Sequence, residues 1–167
     1  MTPRILVAGI GNIFLGDDGF GPEVIRHARS RPYGRDFPGT TVKVVDYGIR
    51  GMHLAYDLLD DWTALVLIDA VPDRGAPGSL RVFDADHETI DATLALDAHG
   101  MDPAAVFASL RALGGTAPPT FVIGCQVDSV EDGIGLTDVV DAAVPAALDA
   151  IDSVLRMVTS DAPAREG

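Results

Sequence analysis

Apolar residues along this chain follow two rhythms. Some runs are hydrophobic at nearly every position, and they alternate with segments where hydrophobic residues recur every three or four positions. Residues 4–10 (RILVAGI) are an almost unbroken apolar run entering a glycine turn, which predicts a strand buried on both faces. Beyond the turn, Pro22 suits the first turn of a helix reaching about Arg29. Residues 31–40, with two prolines and two glycines, read as loop. Residues 41–46 (TVKVVD) are rich in β-branched side chains and predict a second strand.

Residues 51–61 carry Met52, Leu54, Ala55, Leu58 and Leu59 at helical spacing. A third strand, 64–69 (ALVLID), is again apolar until its last residue. The turn Ala76-Pro77-Gly78 introduces an edge strand at 79–83, and residues 84–100 show no period and read as loop. Asp102-Pro103 marks a helix start, with Asp as cap and Pro as first helical residue. Residues 120–125 (TFVIGC) form the last strand. Thr137 is placed to cap a long final helix, which Pro145 should kink or break. The tail 159–167 reads as frayed, leaving one domain over 1–158. Strands alternating with helices, several of them hydrophobic throughout, predict an α/β fold with a mostly parallel sheet covered on both faces.

Composition narrows the function. The chain of 167 residues holds 25 acids and 12 bases, a net charge of −13, which disfavours nucleic acid and anionic membranes as partners. One cysteine, Cys125, excludes an intrachain disulfide and a multi-thiolate metal site, and by pattern it is a small core residue. The opening apolar run is too short for a signal peptide and no run approaches a membrane span, so a cytoplasmic protein is expected.

In parallel sheets, ligands meet the loops at the carboxyl ends of the strands. Asp17 and Asp18 follow the first strand, Asp46 ends the second and Asp69 ends the third. His99 precedes a helix start in a loop long enough to reach the same edge. Two carboxylates and an imidazole there would form a hard oxygen and nitrogen site for a divalent metal. Bland readings stand beside this one. Asp17 and Asp18 precede a helix and can stabilise its N-terminus. Asp69 closes an apolar run and must be paired whatever its role. His99 taken alone is an ordinary loop residue, and His27, His53 and His87 read as surface. The turn Gly9-Ile10-Gly11-Asn12-Ile13-Phe14 begins like a dinucleotide fingerprint, but Phe14 replaces the third glycine and two acids follow Gly16. Those acids would repel a pyrophosphate, so nucleotide binding is disfavoured.

The run from Gly9 to Gly21 (GIGNIFLGDDGFG) resembles the opening signature of the nickel–iron hydrogenase maturation endopeptidases. The likeness continues through residues 46–51 (DYGIRG), Ile68-Asp69-Ala70, His99, and Gly124 to Gly135-Leu136-Thr137. It implies a three-layer α/β/α sandwich with a five-stranded mixed sheet, one strand running against the rest. It implies removal of a C-terminal extension from a hydrogenase large-subunit precursor once nickel is in place. The family's metal-contacting residues map onto Asp18, Asp69 and His99, with Asp17 orienting Asp18 or capping the helix and Asp46 behind them. No tightly bound cofactor is expected, because the precursor supplies the nickel. The enzyme is expected to work as a monomer. Two departures stand out: Tyr47 and Ile49 replace the Gly and Thr of a common Asp-Gly-Gly-Thr loop, and Val127 stands where proline is frequent. A hydrolase holding its own metal at the same trio, and a nickel-sensing chaperone that does not cut, are the competing readings.

Overall fold

The computed structural model describes residues 2–85 and 103–166, with the backbone alone from 161 onward. Five strands form one sheet in the order β2-β1-β3-β5-β4. They are β1 (Arg4–Ile10), β2 (Thr41–Gly48), β3 (Ala64–Val71), β4 (Leu80–Ala85) and β5 (Thr120–Gln126). The first three and β5 are parallel, and β4 pairs antiparallel with β5 at the edge. This is the mixed five-stranded sheet that the resemblance implied, with the predicted edge strand as its reversed member.

Alternation along the strands builds two cores. Ile5, Val7, Val66, Ile68, Ile123 and Cys125 face one layer, which contains α1 (Phe20–Ala28) and α6 (Val144–Glu166). Leu6, Ala8, Leu65, Leu67 and Val122 face the other, containing α3 (Gly51–Asp57) and α4 (Pro103–Ala112). A strand that must fill both layers cannot spare a polar position, which is why β1 and β3 read as unbroken apolar runs. Each large aliphatic side chain removed from water there contributes about 1.5–3 kcal/mol.

The order of strands places the crevice. From β1 the chain steps to β2 through α1 on one face, then returns past β1 to β3 through α3 on the other. Right-handed crossovers in opposite directions force those helices onto opposite faces. The gap they leave lies at the carboxyl ends of β1 and β3.

Several boundaries differ from the sequence reading. β2 runs two residues beyond Asp46, because a register shift at Gly9/Ile10 pairs Ile10 with Gly48 and Gly11 N–H donates to Gly48 C=O at 2.9 Å. The 31–40 loop contains a short helix, α2 (Tyr33–Asp36). α3 stops at Asp57, where the Trp62 indole N–H donates to the Asp57 carbonyl at 2.8 Å. The expected long last helix is two: α5 (Asp138–Asp141), then α6 with Pro145 in its first turn, where its missing N–H costs nothing. The α6 backbone is helical through Glu166, across the segment whose composition suggested fraying.

Candidate active site

The loop after β1 closes into a single 3-10 turn at Gly16–Gly19, which runs directly into α1. Two glycines let it sit low on the sheet. A Cβ on Gly11 would stand 2.0 Å from the Asp18 carbonyl oxygen, and Gly11 has φ +144°, a conformation open to glycine. A Cβ on Gly21 would lie 2.4 Å from the carbonyl oxygen of Ile10 and 2.6 Å from that of Ile68. The start of α1 therefore rests on the ends of β1 and β3 together.

Asp18 leaves this turn with its carboxylate held by the backbone, since Asn12 N–H donates to Oδ2 at 2.8 Å. Asp69 lies on β3 beside Ile68, opposite Gly124 of β5, and is only 6 % exposed. By alternation it shares the face of Leu65 and Leu67, the layer that α3 and α4 cover. Asp18 thus lies in the turn that follows β1, and Asp69 near the carboxyl end of the neighbouring strand β3. His99, the third expected member, lies outside the described residues. Among the described residues, no three His, Cys, Asp or Glu side chains assemble a metal-binding group.

Neither acid of the Asp17-Asp18 pair caps a helix. Gly19 is the N-cap of α1, without a side-chain cap bond, and the two acids sit in the turn that leads into it. Asp17 is wholly buried, and its carboxylate accepts bonds from the loop 127–137. Burial pushes its carboxyl pKa up, but N–H donors from Ser129, Thr137 and Asp128 outweigh that and hold it below the ordinary value. Thr137, expected to cap the final helix, makes no cap bond; its hydroxyl meets Asp17 instead.

A cleft of about 280 Å³ opens beside the turn. Its lining includes Ile13, Gly16, Gly19, Ile134 and Gly135, together with Arg29 and Asp46. Ile13, Phe14 and Ile134 are exposed on the two loops that frame it.

Comparison with known proteins places the chain in a family. The profile described as HycI, hydrogenase maturation protease, matches residues 25–154. Hydrogenase 2 maturation protease of Escherichia coli K12 is 30% identical over 164 residues, 98% of this chain and 97% of that protein. The chain belongs to the hydrogenase maturation protease family. The hydrogenase expression/formation protein HupD of Rhizobium leguminosarum is 30% identical over 157 residues, covering 93% of this chain and 75% of its own. In three dimensions, the hydrogenase maturating endopeptidase HybD of E. coli superposes with a TM-score of 0.73 at 28% identity, over 92% of this chain and 93% of that one. The enzyme is accordingly a peptidase, with the fold of the solved maturation endopeptidases.

Within this protease, the two departures of the 46–51 segment have opposite fates. Tyr47 is buried under α3, and its hydroxyl donates to Asp57 Oδ2. Burial and that acid both push the phenol pKa upward. Ile49 stands 61 % exposed. Asp46 spends Oδ1 on Gly48 N–H at 2.8 Å, and Arg50 donates to the carbonyls of Asp46 and Tyr47. Val127 is a buried core residue whose N–H donates to Val71 C=O. The surface readings of His27 and His53 hold, His27 pairing with Glu23 at 3.1 Å; His87 lies outside the described residues. Cys125 is a core thiol, its pKa pushed up to about 12 by burial and by the Asp17 charge. The residues that the sequence reading did not connect are Asp128, Ser129 and Thr137. The one available signal was Gly135-Leu136-Thr137, matched to the family without a role.

Proposed function

We propose that this protease removes the C-terminal extension of a hydrogenase large-subunit precursor, using the precursor's nickel as the mark that licenses the cut. The observation that carries the reading is the placement of Asp18 and Asp69 at the carboxyl ends of β1 and β3, the crevice of the fold. With His99 they supply two oxygens and a nitrogen suited to a divalent first-row ion. The nickel arrives as part of the substrate and docks among the three. That docking lays the scissile peptide along the edge beside the 280 Å³ cleft, which has room for a residue or two of extended chain.

Water then adds to the scissile carbonyl, the C–N bond breaks, and the departing nitrogen takes a proton. The mature subunit keeps a new carboxylate and the extension leaves with a new amino terminus. A carboxylate at the crevice accepts the water's proton, and the nickel charge makes that proton easier to remove. The enzyme holds no metal of its own between turnovers and acts as a cytoplasmic monomer. Among the described residues no helix is long and apolar enough to cross a membrane.

The test is a processing assay followed by intact-mass spectrometry. Nickel-loaded precursor should lose the mass of its extension and nickel-free precursor should not. Equal cutting of both removes nickel from the recognition step. Binding without any mass loss makes the protein a chaperone. A stoichiometric, chelator-resistant metal in purified enzyme favours a conventional metallopeptidase.

A further inference from the structure

The cleavage chemistry leaves one buried charge unused. Asp17 has no exposed surface, yet its carboxylate collects bonds from a loop more than a hundred residues away. Oδ2 accepts from Asp128 N–H at 2.9 Å and Ser129 N–H at 3.0 Å. Oδ1 accepts from Thr137 N–H at 2.7 Å, and Thr137 Oγ1 lies 3.0 and 2.8 Å from the two oxygens. The main chain repeats the join. Asp17 N–H donates to Ser129 C=O and Gly16 N–H to Gly133 C=O, each at 2.9 Å, while Gly133 N–H returns to Phe14 C=O at 2.8 Å.

This set of partners selects a carboxylate. Both oxygens face main-chain N–H groups that cannot turn away, so an acceptor is required on each side. An Asn in the same place would aim its NH₂ at an N–H donor in either flip. Asp18, the next residue in the same four-residue turn, accepts from Asn12 N–H at 2.8 Å. The loop that Asp17 holds also carries Ile134 and Gly135, which line the cleft.

We infer that Asp17 is a positioning residue: it locks the 127–137 loop onto the 16–19 turn and so fixes where the Asp18 carboxylate stands relative to Asp69. The inference rests on the reading of Asp18 as a site residue. It gives Asp17 no contact with substrate and makes Thr137 its working partner.

Four proteins decide it: wild type, Asp17→Asn, Thr137→Val and Thr137→Ser. Two readouts are needed, steady-state processing of nickel-loaded precursor and NMR hydrogen exchange at the Asn12 amide. A carboxylate displaced by an ångström costs on the order of 100-fold in turnover. Asp17→Asn should therefore lower kcat by about that factor with KM little changed. Thr137→Val should lower kcat by roughly tenfold and Thr137→Ser should restore it, since only the hydroxyl is at stake. Asn12 exchange should quicken in Asp17→Asn and Thr137→Val while core amides of β1 stay protected. If Asp17→Asn does not fold, the Thr137 pair carries the test. Normal kcat and normal Asn12 exchange in a folded Asp17→Asn, or in Thr137→Val, overturn the inference. If wild type leaves the nickel-loaded precursor intact, the proposed function fails by itself, and Asn12 exchange still reports whether the join orients Asp18.

Discussion

The two sides of the carboxyl edge are held by different means. On one side, the 16–19 turn and the 127–137 loop are joined by a buried carboxylate and a short ladder of main-chain bonds, linking residues 111 to 120 positions apart. On the other, the 46–51 segment is tied mostly to itself, through Asp46 to Gly48 and Arg50 to Asp46 and Tyr47. The pairing of Gly9 with Asp46 and Ile10 with Gly48, and the bond from Gly11 N–H to Gly48 C=O, join it to β1 and the turn. The cross-linked side carries Asp18, whose carboxylate has to stand in one place. The other side carries the exposed Ile49. If Asp18 acts at the crevice, the geometry its chemistry needs is the part fixed by long-range bonds.

The largest effects belong to the acids at the crevice. Asp18→Ala and Asp69→Ala should each abolish processing on mass spectrometry while the circular dichroism spectrum stays native. Normal processing by both variants would remove the site from this edge altogether. The next effect separates the two sides by stability. Asp17→Asn should cost about 3 kcal/mol in urea unfolding, because several buried donors lose their acceptor. Asp46→Ala forfeits one local bond and should cost about 1 kcal/mol. Equal losses would erase the contrast between cross-linked and self-tied loops.

The Asp17 contribution carries a pH signature. Its carboxyl pKa is depressed below the ordinary value of 3.8 in the folded chain, so the stabilisation is fully present above that value. It is lost as pH falls through the lower folded pKa. The stability difference between wild type and Asp17→Asn should therefore be flat near neutrality and shrink only in acid, as urea midpoints across pH would show. A difference that shrinks between pH 6 and 8 would point to a histidine instead. Like Asp46→Ala, Tyr47→Phe should cost about 1 kcal/mol, here through the lost bond to Asp57. Ile49→Thr should alter stability by less than about 0.5 kcal/mol and show itself only in KM for the precursor.

Much of this was legible in the sequence, for a physical reason. Strands buried on both faces leave an unbroken apolar signature, so β1, β3 and β5 and the parallel sheet could be read directly. The same rule marked Asp69, since a carboxylate closing such a run has to be paired. What the pattern could not show were bonds between distant loops. Thr137 has the composition of a helix cap, and only the folded chain brings Asp17 within reach of its hydroxyl. The extension of β2 depends on a register shift in its neighbour, and α2 is held by a single turn of backbone bonds with no period to detect. Tyr47 read only as a departure from the family's loop because sequence position does not tell which way a side chain turns at a strand end.

The central claim is that Asp18, Asp69 and His99 converge on one cation at the edge of β1 and β3. Nickel(II) bound by oxygen and nitrogen donors is paramagnetic, and NMR signals near it broaden. In a titration of the enzyme with nickel(II), broadening should begin at Asn12, Asp18, Asp69, His99 and Gly124 and leave α6 sharp. Broadening that begins at another acidic patch, with His99 and Asp69 unaffected, would contradict the account.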